Sequence, residues 1–467
     1  MTIHLPLLLV YSALLVGLGL WVGRRVRSSE GFFVASRGLG PGLLFATLIA
    51  ANIGAGSTVG AAGLGYRDGL AAWWWVGAAA IGSLIQAFWI GPRMRRVAQQ
   101  HGLKTVGDYL ELRFGASVRV VVAGLLWLGT LAILAGQLIA ISVVLNAVAG
   151  TPKWVGCVLG GVVVTIYFTA GGLLSSAWVN VVQVSVKFVG FALAFPAALI
   201  TIGGWDAVAA RVPQDPGYWS VWQNGRSGWI YLALLGPAFI VSPGLLQKIF
   251  GARDDRTVRI GVGLNAIVLL LFAAVPPLMG MMARAAHPDL ADSELALPML
   301  LVHDVPVAIG TLGLAALFSA EVSTADAILF MLATSMSQDL YRRWIRPGAT
   351  DQQVLRVARL AAVGGGILGV LLALVAKSII MTLSFFYSVL GVTLFVPIVG
   401  GLFTGRLGKR EALAAVGGGI VTMLALQLGV ADGRPGWLTP ALGGLVMSVI
   451  AAAIMLRMTF SRTPAPR

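Results

Sequence analysis

The stretch Leu314 to Tyr341, LAALFSAEVSTADAILFMLATSMSQDLY, is apolar enough to span a bilayer, yet it carries Glu321, Ser323, Thr324 and Asp326 close together. Carboxylates are costly inside a membrane. Where they occur they face a bundle interior or a water-filled cavity and mark an ion, proton or substrate path. On a helix Ser323 and Asp326 share a face as an i, i+3 pair, and Glu321 and Thr324 form a second such pair. The stretch therefore offers a column of oxygen ligands.

Two further stretches place polarity or helix breakers where a membrane span should be uniform. In LIAANIGAGSTVGAAGLGY, Leu48 to Tyr66, the residues Asn52, Gly54, Gly56, Ser57, Thr58 and Gly60 crowd the middle. WIYLALLGPAFIVSPGLLQ, Trp229 to Gln247, is interrupted by Gly236-Pro237 and Ser242-Pro243. Proline removes a backbone donor and breaks or kinks a helix. Either stretch alone reads equally as a packing surface or an ordinary kink. Two interrupted helices five spans apart point to an inverted-repeat transporter with its binding site at the midplane.

The elements that must position these residues are membrane helices. The 467 residues are 58% hydrophobic and 11% charged, with repeated apolar runs of the length that crosses a hydrocarbon core. About 13 spans are expected, at 4–23, 40–66, 71–92, 117–149, 154–172, 177–203, 228–247, 258–284, 306–340, 354–376, 379–404, 411–431 and 436–457. The 60 glycines suit close helix approach in a membrane. A net charge of +15 would suit nucleic acid, but the positions of the charges argue against it. Most of the 33 Lys and Arg fall on one side when alternate loops are assigned to opposite sides, including Arg24, Arg25, Arg27, Arg93, Arg95, Arg96, Arg342, Arg343 and Arg346. That is the positive-inside pattern, and with an odd span count it puts the N-terminus outside and the C-terminus in the cytoplasm.

The first span is not read as a signal peptide, because its arginines follow the apolar core instead of preceding it. Cys157 is the only cysteine, so an intrachain disulfide or cysteine metal cluster is not expected. The tail after the last span is expected to be too short for a fused domain. His4, His101, His287 and His303 fall at loops or span ends, which argues against a histidine proton relay.

At this point the residues carry a resemblance. The chain resembles the sodium:solute symporter family, which includes the bacterial sodium/sugar and sodium/proline symporters. LIAANIGAGSTVGAAGLGY resembles the family's second helix, and GGLLSSAWVNVVQ the entry to its sixth. LLQKIFGARDDRTVRIG resembles the loop after the seventh, with Lys248 where arginine is usual. SAEVSTADAILFMLATSMSQDLY resembles the ninth, and FFYSVLGVTLFVPIVGGLF the eleventh. The similarity runs over nearly the whole chain in order and spacing.

The resemblance implies an all-α, LeuT-like core of the APC superfamily, an inverted repeat of five plus five helices within a single membrane transporter domain, 1–467. The first repeat would cover 40–203 and the second 228–404, flanked by 1–39 and 405–467. It also implies a sodium site between the second and ninth spans, with the carbonyls of Ala50, Ile53 and Ala320 and the hydroxyls of Ser323 and Thr324 as ligands. The chemistry agrees, because an unwound helix exposes carbonyls that a continuous ladder would consume. The competing reading is that both hydroxyls only bond back to carbonyls one turn earlier.

Several positions depart from the family pattern. Many members carry Asp where this chain has Asn180, and Gln183 and Lys187 share its stripe at i+3 and i+7. Lys187 lies near the centre of its span, too deep for easy snorkelling. A buried charge needs a partner, and Asp326 or Glu321 is the expected one. Asp326 stands where the family often has an acidic or small polar residue, so a second cation or coupling site is expected among Asn180, Lys187, Glu321 and Asp326. Glu321 has no counterpart in the family pattern.

For the solute, Ser57, Thr58 and Ser242 sit at the central breaks, and Tyr387 and Ser388 match a helix that borders the family's cavity. Gln86, Asn180 and Gln183 are weaker candidates. Trp73, Trp74 and Trp75 open the third span and read better as an aromatic interfacial belt. The reading that follows is an alternating-access transporter of the cell inner membrane, moving a small polar organic solute with sodium. Proton-coupled or cation-independent transport, using Lys187 with Asp326 or Glu321, is the alternative. A sensor or channel is the reading from another class. No nucleophile with a base, metal cluster or nucleotide motif points to an enzyme, and neither a protein nor a nucleic-acid partner is implied.

Overall fold

The computed structural model describes residues 4–23, 37–169, 172–222, 227–429 and 436–461. Arg24, Arg25 and Arg27 lie outside the described residues. The described chain is helical from end to end, and each of the thirteen expected spans falls on helix. Among the described residues nine helices are long and apolar enough to cross a membrane, and His4–Leu15, Pro41–Asn52, Lys153–Ile166 and Ser293–His303 are shorter apolar helices. The last of these was read from sequence as a loop. The chain is a multi-pass membrane protein.

The second span is two helices. Pro41–Asn52 ends where Ile53 turns extended, at φ −96° and ψ 97°. The chain resumes with a widened turn over Gly56–Gly60 and continues as Ala61–Asp68. The seventh span divides in the same way into Ser227–Ile240 and Pro243–Phe250, separated by Val241 and Ser242. Pro243 withholds an N–H at the break and opens the second helix, whereas Pro237 is accommodated inside the first. The eighth span is also interrupted, between Asp255–Phe272 and Val275–Ala286, just before the Pro276-Pro277 pair.

Helix neighbours reveal the inverted repeat. The second span packs on the eighth, and the seventh packs on the third. The fourth packs on the eleventh and tenth, and the ninth on the sixth and fifth. Each pair becomes the other when five is added to or subtracted from its members. An odd offset reverses the direction of every helix across the bilayer, so the two sets run oppositely.

Glycines set how closely these pairs approach. A Cβ on Gly280 of the eighth span would collide with the carbonyl oxygen of Ala62 and lie 2.8 Å from the amide nitrogen of Tyr66. A Cβ on Gly65 of the second span would lie 2.6 Å from the Cα of Pro277. Backbone cannot rotate away as a side-chain tip can, so the contact has no tolerance. Gly280→Ala is expected to destabilise the purified protein by about 1–3 kcal/mol, as overpacking does. Gly364→Ala, with nothing within 4 Å of the added atom, is expected to keep or slightly raise the melting temperature, because alanine favours a helix interior, and thermal unfolding in detergent compares the two.

Candidate cation and solute site

The break in the second span leaves carbonyls without helical partners, and the ninth span, Val307–Thr334, supplies groups that meet them. The Ser323 hydroxyl lies 2.8 Å from the Ala50 carbonyl across the gap and 3.1 Å from the Ala320 carbonyl of its own helix. Thr324 Oγ1 lies 3.2 Å from each of the Ala50, Ala51 and Ile53 carbonyls. Ser323 thus has both the local bond and the cross-helix bond, while Thr324 reaches only across. Gly54 makes this approach possible: a Cβ there would lie 2.6 Å from the Cβ of Thr324 and 2.8 Å from Gln137 Oε1.

The centre of this oxygen cluster is held by Lys187 from the sixth span. Its Nζ donates to the Ala50 carbonyl at 3.0 Å, the Ile53 carbonyl at 3.0 Å and Ser323 Oγ at 2.6 Å. The side chain is 1% exposed. Among the described contacts Lys187 makes no direct ion pair with Glu321 or Asp326, contrary to the expected pairing. Oxygens left over from a broken helix are closer to hand than either carboxylate, and they meet the ammonium instead. Glu321 acts on Lys187 through its field. Glu321 Oε1 accepts from Thr58 Oγ1 at 2.9 Å, and Oε2 has no hydrogen-bond partner among the described residues. Asp326 acts electrostatically on Lys248, whose Nζ donates to the Thr47 carbonyl at 2.7 Å. Asn180 reaches Thr47 Oγ1 at 3.4 Å, on the same patch of the second span.

Beside the cluster lies a cavity bounded by Ser57, Trp75, Gln137, Phe239, Thr324 and Tyr387. It measures about 30 Å³, room for one or two waters by the same measure. Its walls are aromatic: the Tyr387 ring stands 5.5 Å from Phe239 and 6.3 Å from Trp75.

Comparison with known proteins gives the family of the chain. The family model for the sodium:solute symporter family matches residues 32–419. The chain belongs to the sodium:solute symporter family. The symporter is 27% identical over 409 residues to the sodium/glucose cotransporter of Vibrio parahaemolyticus, covering 78% of this chain and 73% of that one. It is 28% identical over 453 residues to the sodium/pantothenate symporter of Escherichia coli K12, covering 90% and 89%. Its fold matches that of a Na+-coupled sialic acid symporter in a substrate-bound, outward-open state, with a TM-score of 0.81 at 18% identity over 98% of both chains. The relatives are transporters, and so is this protein.

Other positions proposed from sequence land elsewhere in the symporter. Ser57 and Tyr387 line the cavity, but Thr58 turns to Glu321, and Ser388 bonds back to the Ser384 carbonyl at 2.8 Å. Ser242 sits at the helix break, half-buried and away from the cavity wall. Thr58 is drawn to a carboxylate on another span, and Ser388 bonds back within its own helix. The interfacial-belt reading fails for Trp75, which is buried and lines the cavity, and for Trp74, which packs at 4.7 Å on Trp222.

Two glutamines act on the breaks. Gln137 Oε1 accepts from the Ala55 amide at 2.9 Å, and Gln86 Nε2 donates to the Phe239 and Ile240 carbonyls at 3.0 and 3.2 Å. Gln137 was missed; the signal available was an amide in the middle of the apolar run Leu131–Ile141 of the fourth span. Also missed was an ionic cluster at the basic end of the symporter. Arg119 binds Asp339 at 2.6 Å and both Asp108 and Glu111 at 2.8 Å, while Arg343 also pairs with Glu111. These residues are scattered over the helix Val106–Phe114, the start of the fourth span and the end of the ninth, so no local motif joins them.

Gln86→Leu is expected to destabilise the symporter by about 1–3 kcal/mol, because two buried carbonyls lose their donor. Arg119→Leu is expected to cost about 3–5 kcal/mol, because the buried Asp339 carboxylate loses its counter-charge. Thermal unfolding of the purified variants measures both.

Proposed function

We propose that this symporter imports a small polar organic solute by alternating access, drawing on a cation gradient, with sodium the driving ion that the relatives' names give. The observation that carries the reading is a cavity at the interrupted second span, walled by Ser57, Trp75 and Tyr387 and adjoining an oxygen cluster of cation-binding type. Small-molecule sites combine apolar walls with a few placed polar groups, and this cavity sets Trp75 and Phe239 against Ser57, Gln137 and Thr324. At about 30 Å³ it is too small for an organic solute, so binding requires the helices around it to move apart.

The cluster of Ala50, Ile53, Ala320, Ser323 and Thr324 oxygens is the proposed cation cage. Its donor set suits sodium, a hard cation that takes carbonyl and hydroxyl oxygens. Asn180, Lys187, Glu321 and Asp326 form the proposed second cation or coupling site. The proposed repeats are 40–203 and 228–404, consistent with the offset of five in the helix pairs. The proposed setting is the cell inner membrane, with the N-terminus outside and the Arg119 cluster on the cytoplasmic side, where it would have to separate for the cavity to open inward. A second reading, coupling without a free cation in the cage, is favoured by the position of Lys187 Nζ.

Uptake by proteoliposomes, with a panel of sugars, amino acids, monocarboxylates and vitamins, tests the proposal. Accumulation with a sodium gradient that is lost when choline replaces sodium is the expected result. Equal accumulation in choline would overturn sodium coupling in favour of the second reading. With the solute in hand, Tyr387→Ala is expected to raise the half-saturating solute concentration by about tenfold, equivalent to about 1.4 kcal/mol, at unchanged protein abundance.

A further inference from the structure

The oxygens that would ligate a free cation are already satisfied by a side chain. Lys187 enters from the sixth span, and its Nζ meets Ala50 O, Ile53 O and Ser323 Oγ at 2.6–3.0 Å. An ammonium carries three donors and no acceptor. Two of its partners are carbonyls, which only accept, and the Ser323 hydroxyl is directed at the Ala50 and Ala320 carbonyls. With Nζ as the donor to all three partners, each N–H of an ammonium finds an acceptor. The group is buried, and three of the five proposed ligands are its own hydrogen-bond acceptors.

We propose that the Lys187 ammonium is the built-in occupant of this cage, replacing the free sodium ion at this position. A sodium ion and an ammonium sharing the same three oxygens would stand almost in contact, two like charges in a medium that screens them poorly. The charged groups around the cage do not offset a second cation. From the ninth span Glu321 faces the cage, with one oxygen bound to Thr58. From the seventh span Lys248 adds a further positive charge, with Asp326 as its electrostatic neighbour. One carboxylate for one tethered cation is a balanced arrangement. Sodium that drives uptake in the wild-type protein then binds outside this cage.

The tether also changes what the site does in a transport cycle. A free ion enters and leaves with each turnover and so links its gradient to the movement of the second and ninth spans. A lysine remains covalently on the sixth span, so its ammonium bridges three spans without drawing on the sodium gradient. The inference rests on the proposed cation cage, but not on which solute moves or on what drives it.

The test uses the full-length purified protein in detergent, titrated with sodium chloride against choline chloride at constant ionic strength, with melting temperature as the readout. A ligand that binds only the folded state raises stability as RT ln(1 + [L]/Kd). Lys187→Ala removes the ammonium and opens the cage, so its melting temperature is expected to rise with the logarithm of sodium concentration. Adding Ser323→Ala to Lys187→Ala is expected to abolish or weaken that rise. In the wild-type background, Ser323→Ala is expected to leave any sodium response, or its absence, unchanged. Two results would overturn the proposal: a folded Lys187→Ala protein that gains no sodium response, or a wild-type sodium response that Ser323→Ala weakens. The second needs no change at Lys187, so the proposal is decided even if Lys187→Ala does not fold. No solute enters the measurement, so failure to find a transported solute would count against the transport reading alone.

Discussion

A helix broken inside a bilayer leaves carbonyls that neither water nor a continued ladder can reach, and the centre of this symporter is built around satisfying them. The second span gives up its regular bonds near Ile53 and Gly54, and the exposed oxygens of Ala50, Ala51 and Ile53 are met by Ser323, Thr324 and Lys187 from two other spans. Unsatisfied polar groups at that depth cost several kcal/mol each. The second, sixth and ninth spans are therefore held together by the same few atoms that form the proposed cation cage.

The break of the seventh span shows the same economy with different donors. Gln86 of the third span caps the Phe239 and Ile240 carbonyls, and Lys248, just past the break, reaches back to the Thr47 carbonyl. Gln137 of the fourth span does the corresponding service for the Ala55 amide. The breaks of the second and seventh spans thus both receive bonds from side chains of other spans, and Ser57 adds a local one to the Gly54 amide. The cavity lies between the two breaks, where ordinary helix packing is suspended and Trp75, Phe239 and Tyr387 fill the space instead. Close backbone crossings at Gly65 and Gly280 bring the second and eighth spans together around it.

Much of this was legible from the chain alone, and for identifiable reasons. Glu321, Ser323 and Thr324 stand out because polarity is rare in an apolar span, and the glycines and prolines of the second and seventh spans stand out because they cannot continue a ladder. Lys187 stood out by its depth, but its expected partner was a carboxylate. The carbonyls it meets belong to every residue and carry no sequence signal until a helix is known to be broken at that point. The same limit turned Thr58 to Glu321, a partner that only the fold supplies, whereas Ser388 simply bonds back to the Ser384 carbonyl of its own helix.

The amino-acid sequence by itself determined a polytopic helical chain, the positions of its interruptions and the family pattern, because the bilayer enforces long apolar helices and punishes every exception to them. Tertiary structure alone decided which exceptions meet. Trp75 became a cavity wall rather than an interfacial anchor because the third span packs on the seventh. Arg119 gathered three carboxylates from separate segments. Lys187 came to rest among the carbonyls of Ala50 and Ile53 because the sixth span lies against the second and ninth, and the distance between two helices is set by the packing of all the others.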